Sequence, residues 1–124
     1  MYLNRGVSLP WRESLMEYEI ARRTPRYSFV VDVEVADLQS EIRIREHTTT
    51  LSLFGCGINT SKGFPPGTRV RIKLSHRGAE MLALGRVAYA RPGVGMGVVF
   101  TTVEPEEGRV LEQWITELAS LSLA

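Results

Sequence analysis

From Tyr27 to about Thr101 apolar side chains recur with a period of two, and this alternation constrains the fold more than anything else in the chain. Phe29, Val31, Val33 and Val35 fall on one face with Asp32 and Glu34 opposite, the pattern of a half-buried strand. Glu41-Ile-Arg-Ile-Arg45 alternates in the same way, and so does Arg69-Val-Arg-Ile-Lys-Leu74. Between them lie an apolar strand near Cys56–Thr60 and a turn at Pro65-Pro66-Gly67. Met81–Ala90 and Val94–Thr101 flank Arg91-Pro92-Gly93 and read as a hairpin. Six strands with short connections and no helix between them predict an all-β domain, a six-stranded antiparallel barrel.

Both ends of the chain break the alternation. Pro105 suits a first helical position, and Glu106 and Glu107 complement the positive end of a helix dipole. Val110, Leu111, Trp114, Ile115 and Leu118 then form one apolar stripe, so a C-terminal helix should close against the barrel. Near the start, Trp11, Leu15 and Tyr18 fall at i, i+4 and i+7, with Pro10 before them and Pro25 barring continuation. The reading is an N-terminal extension over 1–21 with a short helix, and a barrel-plus-helix domain over 22–121.

At 124 residues the chain suits one domain with a modest core. Fifteen basic and fourteen acidic side chains leave a net charge of +1, so any anion site must be local. The single cysteine, Cys56, excludes an intramolecular disulfide and suits a cytoplasmic setting. No apolar run in the first twenty residues makes a signal peptide, and none later reaches a membrane span, so no membrane insertion is expected. His47 and His76 lack companions at metal-ligand spacing, and Cys56 between two glycines reads as a small buried residue. No carboxylate pair or Ser-His arrangement suggests turnover, so neither an enzyme nor a metal or cofactor is expected. Gly93-Val-Gly-Met-Gly97 has the glycines of a dinucleotide loop, but strand-like Val98-Val-Phe100 follows where a helix is required.

Two short segments carry chemistry. Arg22-Arg23-Thr24-Pro25-Arg26 places three guanidinium groups on a stretch that proline keeps from being helical. Thr50-Leu51-Ser52-Leu53-Phe54-Gly55 ends a hydroxyl-rich strand in glycine. Arginine binds phosphate in bidentate fashion, stacks on flat rings and reads the O6/N7 edge of guanine. The pair R-x-x-x-R followed by x-x-S-x-x-G resembles the PilZ family, whose members typically bind the bacterial second messenger cyclic di-GMP. Gly85-Arg-Val, Gly95-Met-Gly-Val-Val-Phe100 and the closing Pro-Glu-Glu helix extend the resemblance over about residues 22–118.

The resemblance implies a ligand site made of Arg22, Arg23, Arg26, Thr50, Ser52 and Gly55. The arginines would pair with phosphates and guanine Hoogsteen edges, Ser52 would exchange a hydrogen bond with the ligand, and Gly55 would let the backbone come close. Ordering of residues 1–26 on binding would carry the signal to a protein partner. Thr50 departs from the family, which has aspartate or asparagine there; losing that acceptor costs about 1–3 kcal/mol, or roughly ten- to a hundredfold in affinity. Phe54 stands where the family often has glycine. The alternative is an adaptor of the same fold that has lost ligand binding. Near-neutral charge and few surface aromatics argue against a nucleic-acid partner.

Overall fold

The computed structural model describes residues 24–122, so the expected N-terminal helix over Trp11–Tyr18, Arg22 and Arg23 lie outside the described residues. Seven strands and one helix follow: β1 (Tyr27–Ser28), β2 (Asp32–Asp37), β3 (Arg43–Ser52), β4 (Gly55–Asn59), β5 (Arg69–His76), β6 (Ala79–Arg91), β7 (Gly95–Thr102) and α1 (Pro105–Ser122). All pairings are antiparallel. The order β3-β2-β5-β6-β7-β4 returns to β3 through a β3–β4 pairing, which closes a six-stranded barrel.

The short β1 is not a seventh stave. It runs along the far end of β3, with Tyr27 opposite Leu51 and Ser28 opposite Thr50, while β2 takes the near end from His47 to Arg43. Residues 27–37 are thus one strand with a kink at Phe29–Val31. Thr48 holds that kink: its buried hydroxyl accepts from the Val31 N–H at 3.0 Å and donates to the Phe29 carbonyl. The alternation survives the bend, and Phe29, Val31, Val33 and Val35 are all buried, while Val30 is left exposed.

Turn chemistry sets the hairpins. Asp37 Oδ1 accepts from Gln39 N at 2.9 Å and more weakly from Ser40 N, closing the β2–β3 connection. Those bonds, the Gln39 one foremost, hold the Asp37 carboxyl below its usual range. Glu41 lies in this turn at φ 64°, so the third strand begins at Arg43, later than the alternation predicts, and continues through the hydroxyl run to Ser52. Gly93 and Gly95, both at positive φ, turn the chain between β6 and β7. The glycine-rich segment is a hairpin, as its strand-like sequel predicts.

The barrel interior is solid. Val35, Leu51, Val70, Ile72, Leu74, Met81 and Phe100 have no exposed surface. No ligand can enter such a core, so any site must lie on the outside. α1 packs through Leu111 and Trp114, with Glu107 Oε1 accepting the Leu82 N–H at 2.7 Å. Trp114 meets Phe29 at 5.6 Å and His76 at 5.7 Å, an aromatic cluster that ties the helix to the kinked strand.

Candidate functional site

Strand register brings the two sequence motifs together. Because Ser28 pairs with Thr50 and Tyr27 with Leu51, the chain preceding β1 runs out beside Ser52, and Arg26 arrives at the β3–β4 hairpin. Arg26, Thr50, Ser52 and Gly55 line one shallow cleft on the outer surface of β3, β4, β7 and β6. Arg22 and Arg23, the other members of the expected set, fall outside the described residues. The cleft is shallow and encloses little more space than a water molecule fills before it opens to solvent. Arg26 is exposed, and among the described residues no acid lines the cleft. An open depression beside an exposed arginine suits part of an anionic ligand.

Each polar residue has a definite local job. Ser52 is buried, and its Oγ accepts from Phe54 N at 3.1 Å and donates, at a long 3.4 Å, to the Gly55 carbonyl. Its hydroxyl braces the two-residue turn Leu53–Phe54. A register shift between Thr48 and Thr50 doubles β3 opposite β4, a β-bulge. A methyl group at Gly57 would sit 2.7 Å from Thr49 Oγ1 and 2.8 Å from Thr50 Oγ1. Two hydroxyls therefore lie over Gly57, where the family pattern has one carboxylate or carboxamide.

Gly55 has a reason of its own. A methyl group there would come within 2.3 Å of the Val98 carbonyl oxygen on β7, so glycine is required for two strands to approach. Gly97 is similar: a methyl would sit 2.2 Å from Tyr89 Cε2, so the tyrosine ring lies against the bare backbone of β7. Arg91 covers that ring at 5.5 Å. Phe54 packs on Val99 beside the cleft, with Leu53 and Ala88 around them. Phe54 thus forms a neighbouring ridge and does not itself line the cleft.

Tyr89 and Ala88 line the cleft although sequence reading did not single them out. Strict alternation puts neighbouring residues on opposite faces, and a register shift between Val87 and Tyr89 breaks that rule. The only advance signal was an aromatic residue on the strand facing Gly97. Cys56 is buried, as its glycine neighbours suggest, and burial pushes its thiol up to about 12. Such a thiol stays protonated and unreactive at neutral pH. Among the described residues no three His, Cys, Asp or Glu side chains group to hold a metal ion, and no helix is long and apolar enough to cross a membrane.

A closed antiparallel barrel, with one helix among the described residues packed on it and a shallow cleft on the outer wall, defines a class of small β-barrel domains. A family profile for the PilZ domain matches residues 21–117, and the chain belongs to the PilZ domain family. The structure is similar to that of the PilZ domain of CeSA from a cellulose-synthesizing bacterium, with a TM-score of 0.58 and 25% identity over 80% of this chain and 99% of that one. It is similar also to the PilZ domain of YcgR from Escherichia coli with c-di-GMP, at a TM-score of 0.62, 19% identity and 82% and 93% coverage. The Bacillus subtilis inhibitor of motility MotI/DgrA superposes at a TM-score of 0.62 with 16% identity, over 77% of this chain and half of that one. No curated protein matches the sequence directly.

Proposed function

We propose that this domain is a receptor for cyclic di-GMP that relays the level of the messenger to a protein partner in the cytoplasm, and that it has no catalytic activity of its own. The observation that carries the reading is the register of β1 on β3, which delivers Arg26 into the cleft lined by Thr50, Ser52 and Gly55. The ligand lies across β3, β4 and β7, with the 22–26 segment closing over it. Arg22, Arg23 and Arg26 supply charge-assisted bonds to phosphate oxygens and to the O6/N7 edges of guanine. The Thr49 and Thr50 hydroxyls take the place of the missing acid, as neutral donors and acceptors. Ser52 acts by holding the turn, and a purine stacks on the Tyr89 ring in place of the Arg91 guanidinium, which moves aside.

The competing reading, an adaptor that no longer binds the messenger, draws on two facts. Thr50 is not acidic, and the Ser52 hydroxyl is engaged within its own turn. Titration calorimetry of the purified chain with cyclic di-GMP separates the two. The receptor reading expects saturable binding that weakens at least tenfold in Arg22→Ala and in Arg26→Ala, each with an unchanged melting temperature. No heat of binding in the parent protein favours the adaptor.

A further inference from the structure

Away from the cleft, the outer face of β3, β2, β5 and β6 is a grid whose rows follow from the strand register. One row runs His47, Asp32, Ser75, Glu80, and the next Arg45, Glu34, Lys73, Leu82. The acids of these rows each have a partner within them. Arg45 meets Glu34 at 3.3 Å, His47 meets Asp32 at 3.0 Å, and Lys73 lies 4.0 Å from Glu34 and 3.9 Å from Glu80.

The following rows differ. Arg43, Ala36, Arg71 and Leu84 form the third, and Arg69 stands directly opposite Arg86 beyond it. These four arginines enter no ion pair among the described residues, and three of them are exposed. Asp37, at the end of β2, commits a carboxylate oxygen to its own turn. Like charges directly opposite on paired strands destabilise a sheet. Arg69 and Arg86 are such a pair, in a chain whose net charge is only +1.

We propose that this corner is a docking surface for a short acidic segment of another protein. Strand and residue spacings place the four guanidinium stems within about 14 by 7 Å, the reach of about five extended residues. Ala36 and Leu84 lie among them, and Leu38 and Ile42 are exposed on the adjoining β2–β3 hairpin. Arginine interleaved with small apolar surface is the composition of a protein interface. An extended polyanion fits poorly, because Glu34, Asp32 and Glu80 follow within two rows and repel a continuous line of phosphates.

The test uses the full chain and three probes: a ten-residue peptide of alternating glutamate and leucine, vesicles with about 30% phosphatidylserine, and a single-stranded 20-mer DNA, each followed by amide NMR shifts. The peptide should move Arg43, Arg69, Arg71 and Arg86, and its affinity should fall at least tenfold in the double variant Arg69→Glu, Arg71→Glu. Independently, Arg86→Glu should raise the melting temperature by about 1–4 °C, because it creates a cross-strand pair with Arg69. The proposal is overturned if the peptide leaves these residues unmoved, or if vesicles or DNA engage them more tightly. A lower melting temperature for Arg86→Glu would likewise overturn it, by giving the facing arginines a structural role.

Discussion

The two outer walls of this barrel are built by opposite rules. On β3, β4 and β7 the positions that matter are Gly55, Gly57, Gly97 and a run of threonine hydroxyls, so backbone and small groups form the surface. On β2, β5 and β6 long charged side chains stand in rows set by register. On the glycine wall the residues are dictated by what the neighbouring strand leaves room for, and Arg26, from the chain preceding β1, is the charged side chain the described residues bring to it. On the charged wall, packing dictates less, since these side chains are exposed or half-buried on the outer face. A barrel with a filled core thus has one wall set by close strand approach and one covered by charged side chains.

The largest effect that tests this contrast is steric. Gly55→Ala places a methyl 2.3 Å from the Val98 carbonyl oxygen, a backbone atom that cannot turn aside. It should cost roughly 3 kcal/mol or more in urea denaturation, at or above the usual range for overpacking. Gly67→Ala, at φ +92° with nothing within 4 Å, should cost only about 1 kcal/mol. Equal losses would remove the claim that close strand approach governs the glycine wall.

Next comes the brace behind the wall. Thr48→Val keeps the shape but leaves the Val31 N–H and the Phe29 carbonyl without their hydroxyl partner. The expected loss is about 1–3 kcal/mol. Cyclic di-GMP affinity should fall with it, because the kink aims Arg26. A variant as stable as the parent would show that the bend needs no brace.

Smaller again is the stacking surface. Tyr89→Leu should weaken cyclic di-GMP binding about tenfold, the lower end for losing one base–aromatic stack, while Tyr89→Phe should bind nearly as the parent does. Losing affinity in the phenylalanine variant too would assign the effect to the phenolic hydroxyl instead.

The last effect appears only in alkali. Cys56 titrates at about 12 in the fold against an ordinary 9.0. An acid whose folded value is raised leaves the native state holding a proton that the unfolded chain gives up between those two values. Stability therefore falls as pH rises through that window. Cys56→Ala should lose this alkaline decline, seen as a flatter melting temperature against pH above 9, although it starts from lower stability. An unchanged slope would mean that other groups govern alkaline unfolding.

The fold was legible wherever a period repeats. The alternation from Phe29 to Val35 and the stripe Leu111–Trp114–Leu118 each specify a buried face, because burial rewards only one register. Of the candidate site, only a juxtaposition was legible: Arg26, Thr50, Ser52 and Gly55 line one cleft, since both motifs flank strands that pair with each other. The bulges were hidden. Three successive threonines, Thr48 to Thr50, carry no mark of which one is doubled, and the shift at Val87–Tyr89 reverses the parity that would have sent Tyr89 inward. The arginine corner was hidden for a different reason. Arg43, Arg69, Arg71 and Arg86 come together only once strand order is known, and no local pattern supplies that order.

The central claim is that the glycine wall, and not the charged one, receives the ligand. Calorimetry with cyclic di-GMP on the parent, on Arg26→Ala and on Arg71→Ala tests it most directly, because each variant removes one exposed arginine from one wall. The account predicts saturable binding to the parent, a loss of at least tenfold in Arg26→Ala, and no more than about a twofold change in Arg71→Ala. A parent that does not bind, or an Arg71→Ala variant that loses as much as Arg26→Ala, would contradict it.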